Sequence, residues 1–427
     1  MTDQSNPESS AESFNRPGFW ALIAMQFQGA FNDNAYRMLI VLFLPLALLP
    51  DDFPSTEIAF ALFNGAYLIF PGLFGALSDR YSKQTIAILT KYIELVVMSM
   101  ALLGFWLQSA WFLLFVLFLM GAQSAFFSPS KYGILPEILP EGRLPWGNGY
   151  MQMGTFVAII LGQALGGALL DWFREQIVYA GLVMLGFTVA GLICAHFITR
   201  PPAAEPDRPI PWNPWQGLPH YLGLFYADRW LFATLLGVTY FWLAGAFVMQ
   251  NIVEYGLAAF EDTITVSLIV VEWSMGTGTQ TGLLTASLSL GIAIGSLLSG
   301  YVSRNRIDLR LVPYGAFGLS LFSLLLAFPA YNYLVTLILM FMLGGTAGFF
   351  VVPLAAMLQH RCPKSVRGGM IAALNFVTFS GMTAAAGLFF LLFSVLGFTP
   401  ASLFLLPAAA TFAVGVVFWY IAPQAPR

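Results

Sequence analysis

Apolar positions in this chain neither alternate nor recur at intervals. They run in long blocks separated by short polar breaks, and about 20 apolar residues in a row is what a helix needs to cross the hydrocarbon core of a bilayer. Twelve such segments can be read: Phe19–Leu49, Glu57–Leu77, Thr85–Leu107, Trp111–Phe127, Gly149–Leu170, Ile177–Phe197, Trp230–Tyr255, Gly282–Val302, Leu311–Phe328, Tyr333–Ala355, Met370–Leu396 and Ala401–Ile421. Continuous apolarity over such lengths excludes strands, because a membrane barrel shows segments of about ten alternating residues. One run between the seventh and eighth segments, Thr263–Trp273, is rich in β-branched residues and reads as a short hairpin or an interfacial segment.

Composition sharpens this picture. The 427 residues are 58% hydrophobic and 9% charged. A soluble domain carries about 25% charged residues, so the missing solvent is lipid. With the N-terminus in the cytoplasm, 16 of the 18 Lys and Arg residues fall in cytoplasmic tails and loops. Arg174 lies outside and Arg37 lies within the first segment, while the outer loops carry Asp51, Asp52, Asp171, Glu175, Glu261 and Asp262. Such sorting fixes both the number of segments and the orientation, with both termini inside. The polar residues 1–18 lack the basic start and small-residue cleavage site of a secretory signal and read as a cytoplasmic tail. Cys194 and Cys362 are too far apart for a metal spacing or a disulfide framework.

The longest polar break, Thr199–Asp228, is rich in Pro and Trp and leaves six segments on each side. The chain thus divides into a tail (1–18), an N-terminal six-helix bundle (19–197), a cytoplasmic linker (198–228) and a C-terminal six-helix bundle (229–427). Equal halves imply parallel repeats about an axis along the membrane normal. GALSDRYSK (Gly75–Lys83) and GSLLSGYVSR (Gly295–Arg304) occupy matching loops of the two halves.

This layout resembles the major facilitator superfamily, and GALSDRYSK resembles its loop signature after the second helix. The resemblance implies an all-α membrane protein of twelve helices with pseudo-two-fold symmetry. It implies that Gly75 allows close helix packing, that Asp79 caps and pairs near basic residues, and that Arg80 and Lys83 face the cytoplasm. Ser299 stands in place of the carboxylate in the second copy, so the gating clasp is expected to be stronger in the N-terminal half. Three further stretches, QFQGAFNDNAYR (Gln26–Arg37), FFSPSKYGILPEILP (Phe126–Pro140) with GNGYMQMGTF (Gly147–Phe156), and GFFVVPLAAMLQ (Gly348–Gln359), resemble the bacterial lysophospholipid transporters. That family includes transporter domains fused to acyltransferases. The resemblance implies inward movement of lysophospholipid, chiefly lysophosphatidylethanolamine, across the bacterial inner membrane for re-acylation, by a monomer functionally coupled to an inner-membrane acyltransferase.

The chemistry inside the membrane is concentrated in the first segment, with Gln26, Gln28, Asn32, Asp33, Asn34 and Arg37. Asp33 lies roughly 21 Å from the segment's start, near the bilayer centre. Ionisable groups there mark a site or a self-neutralising pair. Asp33 and Arg37 are i,i+4 and share a face, so they can pair and only hold helices together, or line a wet cavity as an acid and a base. A guanidinium can fork a phosphate and a carboxylate can accept an ammonium, which suits a zwitterionic head group. Glu94 is expected to pair with Lys91 at the interface. Gln250 and Glu254 share a face of the seventh segment. Gln250 and Asn251 stand where the family usually carries a basic residue, a charge that Arg37 is expected to supply. Helices 1, 4, 7 and 10 line the central cavity in the superfamily, which favours Gln123, Gln250 and Thr346 as further lining residues. Lateral openings for a lipid tail are flanked there by helices 5 and 8 and by helices 2 and 11.

An acyltransferase would need a His five residues before a carboxylate, yet His196, His220 and His360 are followed there by Pro201, Phe225 and Ser365. No phosphate-binding G-x-x-x-x-G-K-[ST] string and no Cys/His cluster occurs. The expectation is a carrier, not an enzyme, that needs no cofactor, metal or nucleic acid. A carrier of a small soluble solute such as a sugar, drug or amino acid is the nearest competing reading.

Overall fold

A computed structural model describes residues 15–50, 53–260, 264–268, 271–275, 277–303, 306–328 and 332–424. The N-terminal half opens with α1 (Arg16–Ala47), whose first turn contains Pro17 and is capped by Asn15, its side chain accepting from the Gly18 N–H at 3.1 Å. It continues through α2 (Ser55–Ile69), α3 (Pro71–Arg80), α4 (Lys83–Leu107), α5 (Ala110–Gly133), the single turn α6 (Leu135–Ile138), α7 (Leu144–Phe173) and α8 (Val178–His196). The linker contains a short helix, α9 (Leu218–Ala227). The C-terminal half runs through α10 (Arg229–Ala259), the strands β1 (Ile264–Leu268) and β2 (Val271–Met275), α11 (Thr277–Val302), α12 (Leu311–Leu326), α13 (Tyr333–Arg361), α14 (Arg367–Phe390), the turn α15 (Pro400–Leu403) and α16 (Leu405–Ile421). The β-branched run is a hairpin, antiparallel, with Val266 opposite Trp273.

Each of the twelve expected segments falls on one helix, or in the second and twelfth cases on a pair. Among the described residues, nine helices are long and apolar enough to cross a membrane, and α2 with α3 forms a tenth span bent by 59°. The bend lies at Phe70–Pro71, because Pro71 has no N–H to return to the preceding turn. The expected straight helix over Glu57–Leu77 is thereby corrected to a broken one. The other two segments are α12, with 16 residues, and α1, whose 32 residues are interrupted by the polar string at Asn32–Arg37.

Apolar side chains fill the inside of each bundle, around Tyr36, Phe105 and Leu117 in the first half and Leu284, Met340 and Phe350 in the second. Glycine shapes the packing within the C-terminal half. A Cβ on Gly344 would lie 2.1 Å from the Leu288 carbonyl oxygen, so α11 and α13 touch backbone to backbone.

Between the halves several contacts gather toward the end of the bundle that carries the linker. Gly75 of α3 meets Gly369 of α14 so closely that a Cβ would sit 2.7 Å from its Cα. Asn148 of α7 and Gln359 of α13 exchange two side-chain hydrogen bonds. Tyr150 and Tyr301 join α7 to α11, hydroxyl to hydroxyl, at 2.7 Å. Higher up, the rings of Tyr67 and Phe379 stack at 3.8 Å.

Candidate substrate site and cytoplasmic gate

Helix α1 divides its polar residues between two faces. Gln28 and Asn32 turn into the N-terminal bundle, where Glu94 of α4 is the hub. Its carboxylate accepts from Gln28 Nε2 at 3.0 Å, Asn32 Nδ2 at 3.2 Å and Thr188 Oγ1 at 3.3 Å, and pairs with Lys91 Nζ at 2.6 Å. Lys91 and Glu94 are each 1% exposed, so the pair is buried and does not sit at the interface as expected. Three helices are thereby tied by one ion pair whose lone pairs and protons are largely spent, which is what makes a buried pair tolerable. Asn32 serves this network.

Asp33 and Arg37 lie on the neighbouring face and do not pair with each other: no ion pair within 4.0 Å joins them, so of the two readings the self-neutralising pair is not the one observed. Asp33 Oδ2 accepts from Ser124 Oγ of α5, and its Oδ1 is buried without a hydrogen-bond partner. Arg37 donates to Asn34 Oδ1 at 2.6 Å, and its guanidinium lies 5.7 Å from the centre of the Phe63 ring. Asn34 in turn donates to the Ala30 carbonyl at 2.7 Å, so it acts as a bracket for Arg37. The result is an acid and a base, side by side on one helix, each with binding capacity left over.

The other expected residues are distributed unevenly around this pair. Gln123 is buried beside Ser124 and accepts from its hydroxyl at 3.4 Å. Gln26 donates to Thr155 and joins α1 to α7 within the first half. Gln250 donates to the Ala246 carbonyl of its own helix at 3.3 Å. Asn251 is fully buried and donates to the Pro400 carbonyl at 2.9 Å. Glu254 is half-buried near the outer end of α10. Thr346 returns its hydroxyl to Leu343 of its own helix at 2.9 Å, against Gly318 of α12. Asn251 and Thr346 are therefore committed to contacts inside the C-terminal half.

Lys131 stands inside α5, seven residues after Ser124 and so on the same helical face, roughly 10 Å nearer the C-terminal end of that helix. Its ammonium lies 4.6 Å from the centre of the Tyr132 ring. The signal was present in the sequence: S-P-S-K-Y continues the helix past Pro129, and a charge two turns below a polar pair marks a polar face.

A second cluster, between the halves, is built around Asp79, which is fully buried. Its carboxylate accepts from the backbone N–H groups of Gly368 at 2.6 Å and Gly369 at 3.0 Å, in the first turn of α14 of the opposite half. A carboxylate at a helix N-terminus satisfies free donors and meets the positive end of the helix dipole. Arg208 of the linker adds a third bond at 2.5 Å, and Arg80 donates to the Arg208 carbonyl at 2.7 Å. Lys83 was expected to face the cytoplasm, but it is fully buried and pairs with Glu137 at 2.6 Å, which also lies 3.7 Å from Arg367 of α14. Ser299, the counterpart of Asp79, has a buried hydroxyl without a partner.

The model of the Major Facilitator Superfamily matches residues 27–386. The lysophospholipid transporter LplT of Enterobacter sp. (strain 638) is 31% identical over 393 residues, which cover 87% of this chain and 88% of that protein. The transporter of the same name from Citrobacter koseri is 32% identical over 387 residues, 87% of each chain. Among solved structures, the E. coli fucose:proton symporter FucP superposes with a TM-score of 0.72 at 15% identity, covering 95% of this chain and 98% of that one. The stretches that carry the family likeness supply Asp33, Glu137, Asn148 and Gln359, residues of the polar cluster on α1 and of the contacts near and between the halves. The chain belongs to the major facilitator superfamily and, within it, to the family of the bacterial lysophospholipid transporters.

Proposed function

We propose that this protein carries lysophospholipid, chiefly lysophosphatidylethanolamine, inward across the bacterial inner membrane as a secondary transporter. The observation that carries the reading is the end-to-end likeness to lysophospholipid transporters, at 31–32% identity over 87% of the chain. The geometry agrees with it. Asp33 and Arg37 are not spent on each other, so the carboxylate can accept an ammonium while the guanidinium forks a phosphate. The acyl tail stays in lipid throughout, and the head group alone needs a polar path.

Twelve spans with both termini in the cytoplasm, the division into halves at the linker, action as a monomer, and delivery of the product to an inner-membrane acyltransferase belong to the same proposal. Closure at Asp79 and at the Asn148–Gln359 pair makes the described conformation the one that would receive lipid from the outer side. The test is reconstitution in vesicles. Labelled lysophosphatidylethanolamine should be delivered to the leaflet facing the protein's cytoplasmic ends. Lipid movement unchanged by the protein, together with saturable uptake of a sugar or amino acid, would instead establish a carrier of soluble solutes.

A further inference from the structure

Helix α2 should continue into α3 through bonds from each N–H to the carbonyl four residues back. Pro71 removes one such bond, but the break goes further than proline requires. The Gly72 N–H donates to the carbonyl of Pro214 in the linker at 2.6 Å, and the Leu73 N–H donates to the same oxygen at 3.2 Å. The Leu68 carbonyl, which Gly72 would otherwise have used, accepts instead from the indole Nε1–H of Trp215 at 2.8 Å. The linker has thus inserted itself into an opened helical bond and satisfied both ends of it.

Position makes this more than a connection. A Cβ on Gly72 would lie 2.3 Å from the Gln216 carbonyl oxygen, so the linker backbone lies flat against α3. Gly72 is eight residues before Arg80, which sets the Pro-Trp segment about 12 Å along the helix axis from the end of α3. The chain then turns at Gly217, with φ 87°, into α9, where the Tyr221 ring occupies the space a side chain on Gly369 of α14 would need. Segment 213–221 therefore crosses the seam between the bent span and α14, just where the halves meet at Gly75. Trp215 is 52% exposed and Trp212 fully exposed, as aromatic residues are at a membrane interface.

We propose that linker segment 213–221 is the inner-leaflet gate of the lipid path, closing the seam between α3 and α14 until it is displaced. This rests on the lysophospholipid reading and adds the exit route to it. A substrate whose tail never leaves the hydrocarbon needs a lateral opening. At the opposite seam, α7 meets α11 with backbone close to backbone, a Cβ on Gly149 falling 2.7 Å from the Ser296 oxygen, and no separate segment intervenes. At the α3–α14 seam the obstruction is removable. When it leaves, the Gly72 N–H can return to the Leu68 carbonyl and the helix tightens, while Pro214 and Trp215 turn to water and head groups. Both arrangements leave the helix's polar groups satisfied, as a two-state element demands.

The test uses the full chain with Cys194→Ala and Cys362→Ala, and a cysteine pair Leu73→Cys/Gln216→Cys joined by a short reducible thiol crosslinker. In vesicles, crosslinking is expected to leave lysophosphatidylethanolamine binding from the outer side unchanged and to cut inward flux by roughly tenfold, as when a lid step limits turnover. Reduction restores flux. Full crosslinking with unaltered flux overturns the gate, and so does loss of outer-side binding along with flux. Lipid flux that is absent before crosslinking overturns the substrate reading, and this route with it. Trp215→Phe, which keeps the ring but not the N–H, gives an independent check. A cysteine at Asn213 should react faster with a cytoplasmic thiol reagent by roughly 2- to 10-fold, the span of one hydrogen bond, and an unchanged rate overturns the latch.

Discussion

Asn148 of α7 and Gln359 of α13 face each other across the division between the halves and exchange two side-chain hydrogen bonds, of 2.7 and 3.0 Å. Both side chains are buried, so neither amide has water as a substitute partner. Removing one member leaves the other unsatisfied, which costs about 1–3 kcal/mol in the closed state. Gln359→Leu should therefore raise the reactivity of a cysteine placed at Ser128, above the gate, toward a cytoplasmic thiol reagent by about 5- to 150-fold. Adding Asn148→Leu should recover part of the closure, because the second orphan is then removed. A double variant as reactive as the sum of its parts would argue against a coupled pair.

The Lys91–Glu94 pair makes a different kind of prediction, about stability. Breaking a buried ion pair from one side leaves an uncompensated charge and typically costs 3–5 kcal/mol. Glu94→Gln keeps the shape and loses the charge that faces Lys91, so the thermal midpoint in detergent should fall sharply. Lys91→Met with Glu94→Leu should be milder than either single change, since no charge is then buried. Additive losses would show that the two residues are not acting as a pair.

The helices were legible because length of apolar run and sorting of basic residues are read directly against the thickness and polarity of a bilayer. The same method misplaced Lys83, Lys91 and Lys131. It treats a basic residue near the end of a run as solvated, whereas Lys83 is held by Glu137 and Lys91 by Glu94 inside the protein. In α1 the spacing allows Asp33 and Arg37 to pair, and it leaves open whether they neutralise each other or line a polar cavity. Gln28 and Asn32 have the same i,i+4 spacing on the adjacent face, and it is they that bind the buried charge, that of Glu94. Pro71 announced the break in the second span and was passed over because the apolar run continued through it. Nothing in the linker's own composition disclosed that its Pro-Trp segment would complete that broken helix, since the contact joins residues nearly 150 positions apart.

Asp228 offers a pH-dependent check on the cytoplasmic side, outside the spans. It caps α10 by accepting from the N–H groups of Trp230 at 2.7 Å and Leu231 at 3.1 Å, and it pairs with Arg361. Burial raises the pKa of its carboxyl, but the Arg361 hydrogen bond and the two N–H donors lower it by more, leaving it below the ordinary 3.8. A depressed carboxylate stabilises the fold fully above its unfolded pKa and loses that contribution as pH falls through the folded one. Asp228→Asn keeps a side chain that can cap the helix but loses the charge facing Arg361, so it should be less stable than the parent by up to about 1 kcal/mol at neutral pH, the scale of a partly exposed ion pair. The gap in thermal midpoint should hold steady between pH 6 and 8 and close in strong acid, where the parent is protonated too. A gap independent of pH would mean that the carboxylate charge contributes nothing.

The separation of Asp33 from Arg37 turns into a test of head-group recognition. Two residues that neutralise each other can be exchanged, and the charge swap Asp33→Arg/Arg37→Asp should then restore function. Here each has its own bracket, Ser124 for Asp33 and Asn34 with Phe63 for Arg37, so the swap should stay inactive. The single variants should also differ in kind. Asp33→Asn removes the charge that would meet an ammonium, and should weaken lysophosphatidylethanolamine more than lysophosphatidylglycerol, which has none. Arg37→Lys keeps a positive charge but loses the planar fork, so it should weaken both lipids alike. A charge-assisted hydrogen bond is worth about 1.5–3 kcal/mol, which sets the expected loss of affinity at roughly 10- to 150-fold for each, read by competition binding in vesicles. Rescue by the swap, or identical selectivity in both single variants, would return the pair to a purely structural role and move the head-group site elsewhere in the bundle.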